Sequence, residues 1–241
     1  AAPRTERRRR HLMDRVARTT SDVPASLAPP TEPRPLMRGT LHLAAALATP
    51  AGLVVLLLLA DSPRRYVGAA IFSASLMMLY TSSASYHLVP WPARLGAIMK
   101  RIDHSMIFVF IAGTYTPLCL LVLDYAWGIP MLAAVWSLAG AGVASTILWP
   151  KAPRWLSVGL YLGIGWIGVI PAAQVVSAMS GGQLALLGLG GALYTVGAVV
   201  YALRRPNPFP RVFGFHEVFH ALVVVGSTLH FALIAGYVAN W

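Results

Sequence analysis

Residues 215–239, FHEVFHALVVVGSTLHFALIAGYVA, decide the fold of this chain. The stretch contains one acidic residue and no lysine or arginine, and it exceeds the roughly 20 apolar residues that a helix needs to cross a bilayer. Six earlier runs have the same character. The seven predicted spans are residues 38–60, 66–88, 102–123, 127–148, 155–175, 184–203 and 215–239. The sequence therefore predicts an all-α, polytopic protein of the cell membrane with seven transmembrane helices.

The composition of the chain indicates that lipid is its main solvent. Hydrophobic residues make up 57% of the 241 residues and charged residues only 11%, against about 25% in soluble domains. The net charge is +11, but the basic residues lie in the first 38 positions and in short gaps between apolar runs. Membrane topology explains that distribution better than a nucleic-acid-binding surface does. We therefore expect membrane lipids as partners and no nucleic acid.

Two segments of different composition divide the chain. Residues 1–37 are rich in arginine and polar residues, and no apolar run follows the four arginines at 7–10 closely enough to form a signal peptide. We expect this segment to be a disordered, basic cytoplasmic tail. Residues 38–241 form the predicted transmembrane domain, whose short connectors contain proline or glycine, as at Pro90-Trp91-Pro92 and Gly181-Gly182.

The basic residues predict the orientation of the chain. When the N-terminus is placed in the cytoplasm, the tail and the second, fourth and sixth loops are cytoplasmic. These segments contain every lysine and arginine except Arg64 and Arg65. Because cytoplasmic loops carry an excess of lysine and arginine, we expect the N-terminus in the cytoplasm and the C-terminus outside.

Small residues and prolines inside the spans predict how the helices pack. Glycines are frequent in spans four and five: Gly140, Gly142, Gly159, Gly163, Gly165 and Gly168. Such residues let helices approach closely, so we expect them at helix–helix contacts. Pro117 in span three and Pro171 in span five predict kinks. The single cysteine, Cys119, is expected to be a small buried packing residue.

Ionisable side chains of three spans fall at one predicted depth. His87 lies in the last turn of span two, and Asp103 lies in the first turn of span three. His216 and His220 lie in the first two turns of span seven. Since successive spans alternate in direction, all four residues are expected near the cytoplasmic face. Ionisable groups inside a membrane are costly and usually functional, so this layer is the predicted site.

The side chains of this layer are those of a metal site. His216 and His220 are four residues apart and therefore share one helix face, a common way to supply two nitrogen ligands to zinc. His87 provides a third nitrogen. Three protein ligands and a water are typical of catalytic zinc, so Zn²⁺ is the expected cofactor, although other metals also accept three imidazoles.

Asp103 and Ser83 are the candidate catalytic residues. Asp103 could be a fourth ligand, but we favour a role in holding the metal-bound water or in acting as a general base. Ser83 lies one helical turn before His87. Its hydroxyl could hydrogen-bond a ligand or an oxyanion, or simply a carbonyl of its own helix.

Three other histidines have minor predicted roles. His42 is a weak candidate for supporting the ligands through a hydrogen bond. His104 is expected to pair with another span or to lie at the interface. His230 lies about 15 Å along the helix axis from His220, which is too far to share the ion, so it is expected to pack or to form a hydrogen bond.

Residues 216–220, HEVFH, match the H-E-x-x-H pattern of zinc metalloproteases, in which the glutamate is the general base. An intramembrane zinc protease would also need an Asp-Gly segment, and the chain contains no Asp-Gly pair. We therefore treat an intramembrane protease as a minor alternative and expect Glu217 to face the interface beside Arg211.

Several motifs together resemble one known family. They are Ser83-Ala84-Ser85-Tyr86-His87, Asp103-His104, Ala112-Gly113-Thr114-Tyr115-Thr116-Pro117, His216-x-x-Phe219-His220 and Gly226-x-x-x-His230. From about residue 38 onward the chain is similar to the hemolysin III family, within the progestin and adiponectin receptor superfamily. The resemblance implies seven helices and a cytoplasmic-side zinc bound by His87, His216 and His220, with Ser83 and Asp103 at motif positions. Glu217 and the arginine-rich tail depart from the family pattern.

The resemblance also implies candidate functions. Related receptors are thought to hydrolyse lipid amides such as ceramide, and bacterial-type members, named for haemolytic activity, are proposed to act in membrane homeostasis. We hypothesise a zinc-dependent hydrolase acting on membrane-lipid amides or esters. The alternative is a non-enzymatic membrane-homeostasis regulator or receptor with structural zinc. A pore-forming haemolysin is a minor alternative. A pore needs a polar stripe along several spans, whereas most polar residues of these spans cluster at one end.

Overall fold

The computed structural model describes residues 35–239 of the chain. This part contains eight α-helices and, apart from one isolated bridge between Phe209 and Phe213, no β-structure. The helices are α1 Thr40–Leu59, α2 Pro63–Leu88, α3 Ala93–Leu121, α4 Tyr125–Leu148, α5 Arg154–Gly165, α6 Ala172–Ala178, α7 Gly181–Leu203 and α8 Phe215–Val238. A 3₁₀ turn, Ile167–Val169, lies between α5 and α6. The all-α prediction is confirmed.

The predicted spans correspond to six continuous helices and one broken one. Each of α1, α2, α3, α4, α7 and α8 is long and apolar enough to cross a membrane. The fifth predicted span consists of α5 with its 3₁₀ turn, Arg154–Val169, and α6, which are bent by 59° at the break. With the bent pair counted as one span, the described residues provide seven. The chain is a multi-pass membrane protein.

Several helices begin earlier than hydropathy predicts, and two of them show why. α3 begins at Ala93 rather than at residue 102, so Lys100 and Arg101 are helical and not part of a loop. Hydropathy marks the lipid-facing length of a helix, whereas lysine and arginine are good helix formers that continue it into the polar region. α7 begins at Gly181 rather than at residue 184, because Ser180 and Gln183 form a reciprocal capping box that offsets the poor helix propensity of glycine.

The break in the fifth span has an identifiable cause. Pro171, which lacks a backbone N–H, follows the 3₁₀ turn, and the kink predicted there is confirmed. Tyr115 of α3 bridges the break. Its hydroxyl donates to the Gly165 carbonyl at 2.6 Å and accepts from the Gly168 N–H at 2.9 Å. Backbone groups that leave the helical pattern inside a membrane need such partners.

Two apolar clusters share α3. One joins α1, α2, α3 and α8 and includes Leu56, Phe72, Leu79, Phe110 and Ile234. The other joins α3, α4 and α5 and includes Phe108, Cys119, Met131, Val135 and Ile164. Cys119 is 3% exposed, which confirms its predicted burial. Because α3 is packed on both sides, it is a rigid support for the site residue Asp103.

The predicted packing role of the glycines is correct at two positions and wrong at four. An added Cβ at Gly142 would overlap the ring of Phe108, and one at Gly168 would lie 2.9 Å from the Tyr115 hydroxyl. Among the described residues, nothing lies within 4 Å of an added Cβ at Gly140, Gly159, Gly163 or Gly165. A run of small residues makes a close approach possible, but it does not ensure that another helix lies opposite.

Aromatic and charged side chains mark the two ends of the bundle. Trp149 after α4 and Trp155 in the first turn of α5 are exposed at one end, whereas Tyr125 and Trp127 in the first turn of α4 are exposed at the other. Aromatic residues of this kind are enriched at membrane–water interfaces. The first end, which also holds the start of α3 and the end of α7 with their lysine and arginine residues, is called the basic end below.

The segment before α1 is joined to the loop before α8. The N–H groups of Leu36 and Met37 donate to the carbonyls of Arg211 and Val212 at 3.0 and 3.1 Å. The tail that was predicted to be disordered comprises residues 1–37. Residues 1–34 lie outside the described part of the chain. From Pro35 onward, the chain is paired with the connection that leads into α8.

Replacing Tyr115 with phenylalanine should destabilise the broken span. The substitution keeps the ring but removes the hydroxyl that pairs with Gly165 and Gly168. We expect the free energy of unfolding to fall by about 1 kcal/mol, seen as a lower midpoint of thermal unfolding in detergent. Tyr125→Phe, at a position that is 73% exposed, is the matched control and should leave the midpoint unchanged. Equal shifts in both variants would contradict the bridging role of Tyr115.

Candidate metal centre

Three helices deliver the predicted site residues to the basic end. His87 lies in the last turn of α2, and His216 and His220 lie in the first two turns of α8. The expectation that Asp103 lies in the first turn of α3 is wrong, because α3 begins at Ala93 and Asp103 is about 15 Å further along the axis. The first turns of α3 extend beyond the end of α2, so Asp103 still reaches the level of His87.

Three imidazoles form a compact cluster. His87, His216 and His220 each offer one nitrogen, and these nitrogens lie within 4.8 Å of one another. The Nε2 atoms of His87 and His216 are 3.1 Å apart, and the ring centres of His216 and His220 are 4.5 Å apart. Two nitrogens bound to one tetrahedral zinc lie about 3.4 Å apart, given Zn–N lengths of about 2.1 Å. The distance of 3.1 Å between the Nε2 atoms of His87 and His216 is therefore close to the distance expected between two zinc ligands.

The burial of His220 makes a cation a suitable partner for the cluster. His220 is 2% exposed, and its Nδ1 has no hydrogen-bond partner among residues 35–239. A buried imidazole whose nitrogens lack partners costs free energy, and coordination of a cation would offset that cost. Three neutral imidazoles are also a donor set that zinc accepts. The residues present therefore fit a zinc ion.

Asp103 lies beside the three histidines rather than among them. Its Oδ2 is 4.0 Å from Nε2 of His87 and 3.5 Å from Nδ1 of His104. Asp103 is only 9% exposed, so solvent screens its charge weakly. A carboxylate at this distance is placed to hydrogen-bond a water or a substrate group next to the histidines, and direct ligation would require it to move closer.

Ser83 makes a contact that neither interpretation of the sequence predicted. Its Oγ lies 2.8 Å from Nδ1 of His42, rather than on a ligand histidine or on a carbonyl of its own helix. His42 of α1 in turn stacks on His220, with ring centres 3.7 Å apart and planes inclined by 14°. All three side chains are buried. Ser83 and His42 therefore fix the orientation of the His220 ring, and His42 is closer to the cluster than the sequence suggested.

The expectation that Glu217 faces the interface beside Arg211 is wrong. The Glu217 carboxylate is fully buried, forms an ion pair with Arg38, and accepts the Gly214 N–H at 2.8 Å. It therefore closes the N-terminal cap of α8, the helix that carries His216 and His220. A carboxylate bound in this way is not free to act as a general base, which counts against the protease alternative.

The two other histidines in the described part of the chain, His104 and His230, lie outside the cluster. The Nδ1–H of His104 donates to the Lys100 carbonyl at 2.8 Å, and its Nε2 lies 3.4 Å from the Tyr201 hydroxyl of α7. His104 therefore contacts another span, which was one of its two expected placements. The Nε2–H of His230 donates to the Leu187 carbonyl at 3.3 Å, as expected for a hydrogen-bonding histidine.

A cavity of about 810 Å³ begins at the cluster and continues along α3. Near the basic end its lining includes His42, Ser83, Asp103, His216 and His220. Leu118 and Val122 line it further along, and Val122 is about 28 Å from Asp103 along the axis of α3. Most of the lining between these ends is apolar. The shape and lining suit a long apolar ligand with a polar group at the histidine end.

Fold and site together define a class of protein: a polytopic α-helical membrane protein with a three-histidine cluster at one end of a long, mainly apolar cavity. Residues 31–231 match the family described as Haemolysin-III related, and the chain belongs to that family. It is 37% identical over 171 residues to the Hemolysin-3 homolog of Bacillus subtilis (strain 168), covering 71% of this chain and 77% of that protein. It is 31% identical over 172 residues to Hemolysin-3 of Bacillus cereus, covering 71% and 75%.

A more distant relative extends the relationship to receptors. The chain is 30% identical over 188 residues to the Adiponectin receptor protein of Drosophila melanogaster, covering 71% of this chain but only 42% of that protein. The resemblance to the hemolysin III family, within the progestin and adiponectin receptor superfamily, is therefore confirmed.

Removing Arg38 should destabilise the start of α8. Arg38→Ala would leave the buried Glu217 carboxylate without its counter-ion, which we expect to lower the free energy of unfolding by about 3 kcal/mol. Adding Glu217→Gln should restore much of the loss, because the amide keeps an oxygen for the Gly214 N–H and carries no charge. Unfolding of the purified variants measures both effects. A double variant less stable than Arg38→Ala alone would contradict the buried-pair explanation.

Proposed function

We propose that this protein is a zinc-dependent hydrolase that cleaves amide or ester bonds of membrane lipids. The observation that carries the proposal is a cluster of three imidazoles with a carboxylate beside it, of which His216, His220 and Asp103 line a cavity that suits an acyl chain. Membership of a multi-pass membrane protein family supports a substrate drawn from the bilayer.

His87, His216 and His220 would hold the ion in this proposal. Imidazole nitrogens are common zinc ligands, and three protein ligands leave one coordination position open. When bound, zinc supplies an electrophile that polarises a carbonyl and lowers the pKa of a water towards about 7.

Asp103 is the residue that accepts and returns a proton. Its Oδ2, 4.0 Å from Nε2 of His87, is close enough to reach a group that lies against the histidines. A carboxylate so placed acts as a general base that takes a proton from the water attacking the carbonyl, and it then passes that proton to the leaving amine or alcohol as the amide or ester bond breaks.

Ser83 and His42 act as positioning residues. The hydrogen bond between them fixes the His42 ring, and that ring stacks on His220. Loss of a contact that orients a ligand ring typically lowers metal affinity or activity by about 10–100-fold. Ser83 therefore acts through His42 in our proposal rather than on the substrate itself.

The cavity supplies the substrate site. Its apolar lining beyond the histidines favours an acyl chain and keeps water away from all but the reacting end. A lipid whose chain lies along α3 would place its amide or ester carbonyl near Asp103 and the three histidines.

A structural ion in a non-enzymatic regulator or receptor is the alternative function. The observation that favours it is that the cluster joins the last turn of α2 to the first turns of α8, so an ion would link two helices. A closed four-ligand site would support this alternative, whereas an open fourth position supports catalysis. We favour catalysis because Asp103 lies outside the group of three nitrogens.

Metal analysis of the purified protein tests the ligand set. We expect about one zinc per chain in the wild type and almost none in His87→Ala or His216→Ala, since loss of one of three ligands opens the site. His230→Ala is the matched control, because it removes an imidazole from the same helix outside the cluster, and it should keep its zinc. A wild type purified without any metal would overturn the proposal.

Asp103→Asn separates a proton-transfer role from ligation. We expect the variant to keep its zinc while turnover of lipid amides or esters falls by roughly 10²–10⁴-fold, the usual contribution of a general base. Product release from a panel of lipids, followed by mass spectrometry, measures turnover. Loss of zinc in Asp103→Asn would identify the carboxylate as a ligand. A zinc-loaded wild type that cleaves none of the lipids would instead favour the structural alternative.

A further inference from the structure

Four basic side chains line the same cavity as the histidine cluster. Lys100 and Arg101 come from α3, Arg154 begins α5, and Arg204 follows α7. These three elements are distant in sequence but meet at the basic end, where Asp103 and His216 line the same cavity. The four side chains, named here the basic mouth, give one end of a mainly apolar cavity a strong positive charge.

The positive charge of the basic mouth is not neutralised by the described part of the protein. The ion pairs found among residues 35–239 involve Arg38, Arg65, His87 and His104, and none of them includes a residue of the basic mouth. Asp103 is the one acidic side chain among the described residues that line the cavity, and it lies against His87 and His104. The mouth is therefore complementary to an anion.

Arg154 is held in position to receive such an anion. Its guanidinium lies over the ring of Tyr201, 4.8 Å from the ring centre, and its Nη1 donates to the Tyr201 carbonyl at 3.2 Å. A guanidinium has five N–H donors, so most of them are left for a ligand. Fixing the group in advance lowers the entropy lost on binding, and its planar fork suits phosphate oxygens.

Membrane topology alone does not explain this arrangement. The bias of lysine and arginine towards one face accounts for the presence of basic residues at this end. However, Arg94, Lys151, Arg205 and Arg211 belong to the same end and do not line the cavity. The basic mouth is thus a subset of these residues that faces the interior space leading to the histidines.

We propose that the basic mouth binds the phosphate of an anionic phospholipid whose acyl chain occupies the cavity. Basic pockets between transmembrane helices are a known mode of anionic headgroup recognition. The distance of about 28 Å from Asp103 to Val122 exceeds the depth of one leaflet, which is about half of a 30 Å hydrocarbon core, so an extended chain fits. Binding does not require hydrolysis. The assignment of a phosphate-bearing lipid as the substrate class rests on the proposed function.

Two triple variants with equal charge changes test the headgroup site. Lys100→Gln/Arg101→Gln/Arg204→Gln removes three of the four positive charges of the mouth and leaves Arg154 with its contacts to Tyr201. Lys151→Gln/Arg94→Gln/Arg205→Gln removes one lysine and two arginines from the same end but outside the cavity. Binding of phosphatidylglycerol to each purified protein in neutral detergent is measured by native mass spectrometry and by competition with a fluorescent phosphatidylglycerol.

The mouth variant should bind phosphatidylglycerol roughly a hundredfold more weakly than the wild type, and the control variant should bind as the wild type does. Equal weakening in both variants would overturn the proposal, because it would show attraction by surface charge only. Competition by inorganic phosphate as effective as that by the lipid would also overturn it, because the ligand would then be a soluble anion.

The same assay separates this inference from the proposed hydrolase. If the wild type binds the lipid through the mouth but cleaves no lipid, the hydrolase proposal fails and the headgroup site stands. If the protein cleaves lipids equally well with and without the mouth residues, the hydrolase proposal stands and the phosphate-bearing substrate class fails.

Discussion

Polar side chains inside a membrane protein need partners within the protein, because the hydrocarbon offers none. At the basic end, this requirement links α1, α2, α3 and α8. Ser83 of α2 pairs with His42 of α1, and His42 stacks on His220 of α8. Asp103 of α3 approaches His87 of α2. These contacts therefore assemble the walls of the site at one end of the cavity.

Helix number and the level of the site could be predicted from the sequence, because both depend on patterns that are local to each span. Apolar runs located the spans, and the positions of His87, His216 and His220 within those runs gave a common level. Contacts between distant segments could not be predicted in this way. The partner of Glu217, Arg38, lies 179 positions away and precedes the first helix. The sequence around Glu217 therefore could not show that its carboxylate is buried in an ion pair, and it predicted a place at the interface instead.

The first residues of the helices could not be predicted from hydropathy either. The charged first turns of α3 look like a loop to hydropathy, although their residues favour helix. The same error placed Asp103 in the first turn of its helix. It also left Lys100 and Arg101 in a connector, so their approach to the cavity could not be foreseen. Lys100 and Arg101 precede the apolar run of their span, yet they line the cavity because α3 continues beyond that run.

The hydrogen bonds from Leu36 and Met37 to Arg211 and Val212 have a mechanical consequence. A pulling force applied before residue 35 would load these two bonds and the Arg38–Glu217 pair before it stretched α1. Since Glu217 caps the helix whose first turn contains His216, tension on the N-terminal segment would act on that turn first. The point where any preceding chain is attached is thus linked mechanically to the helical turn that carries His216.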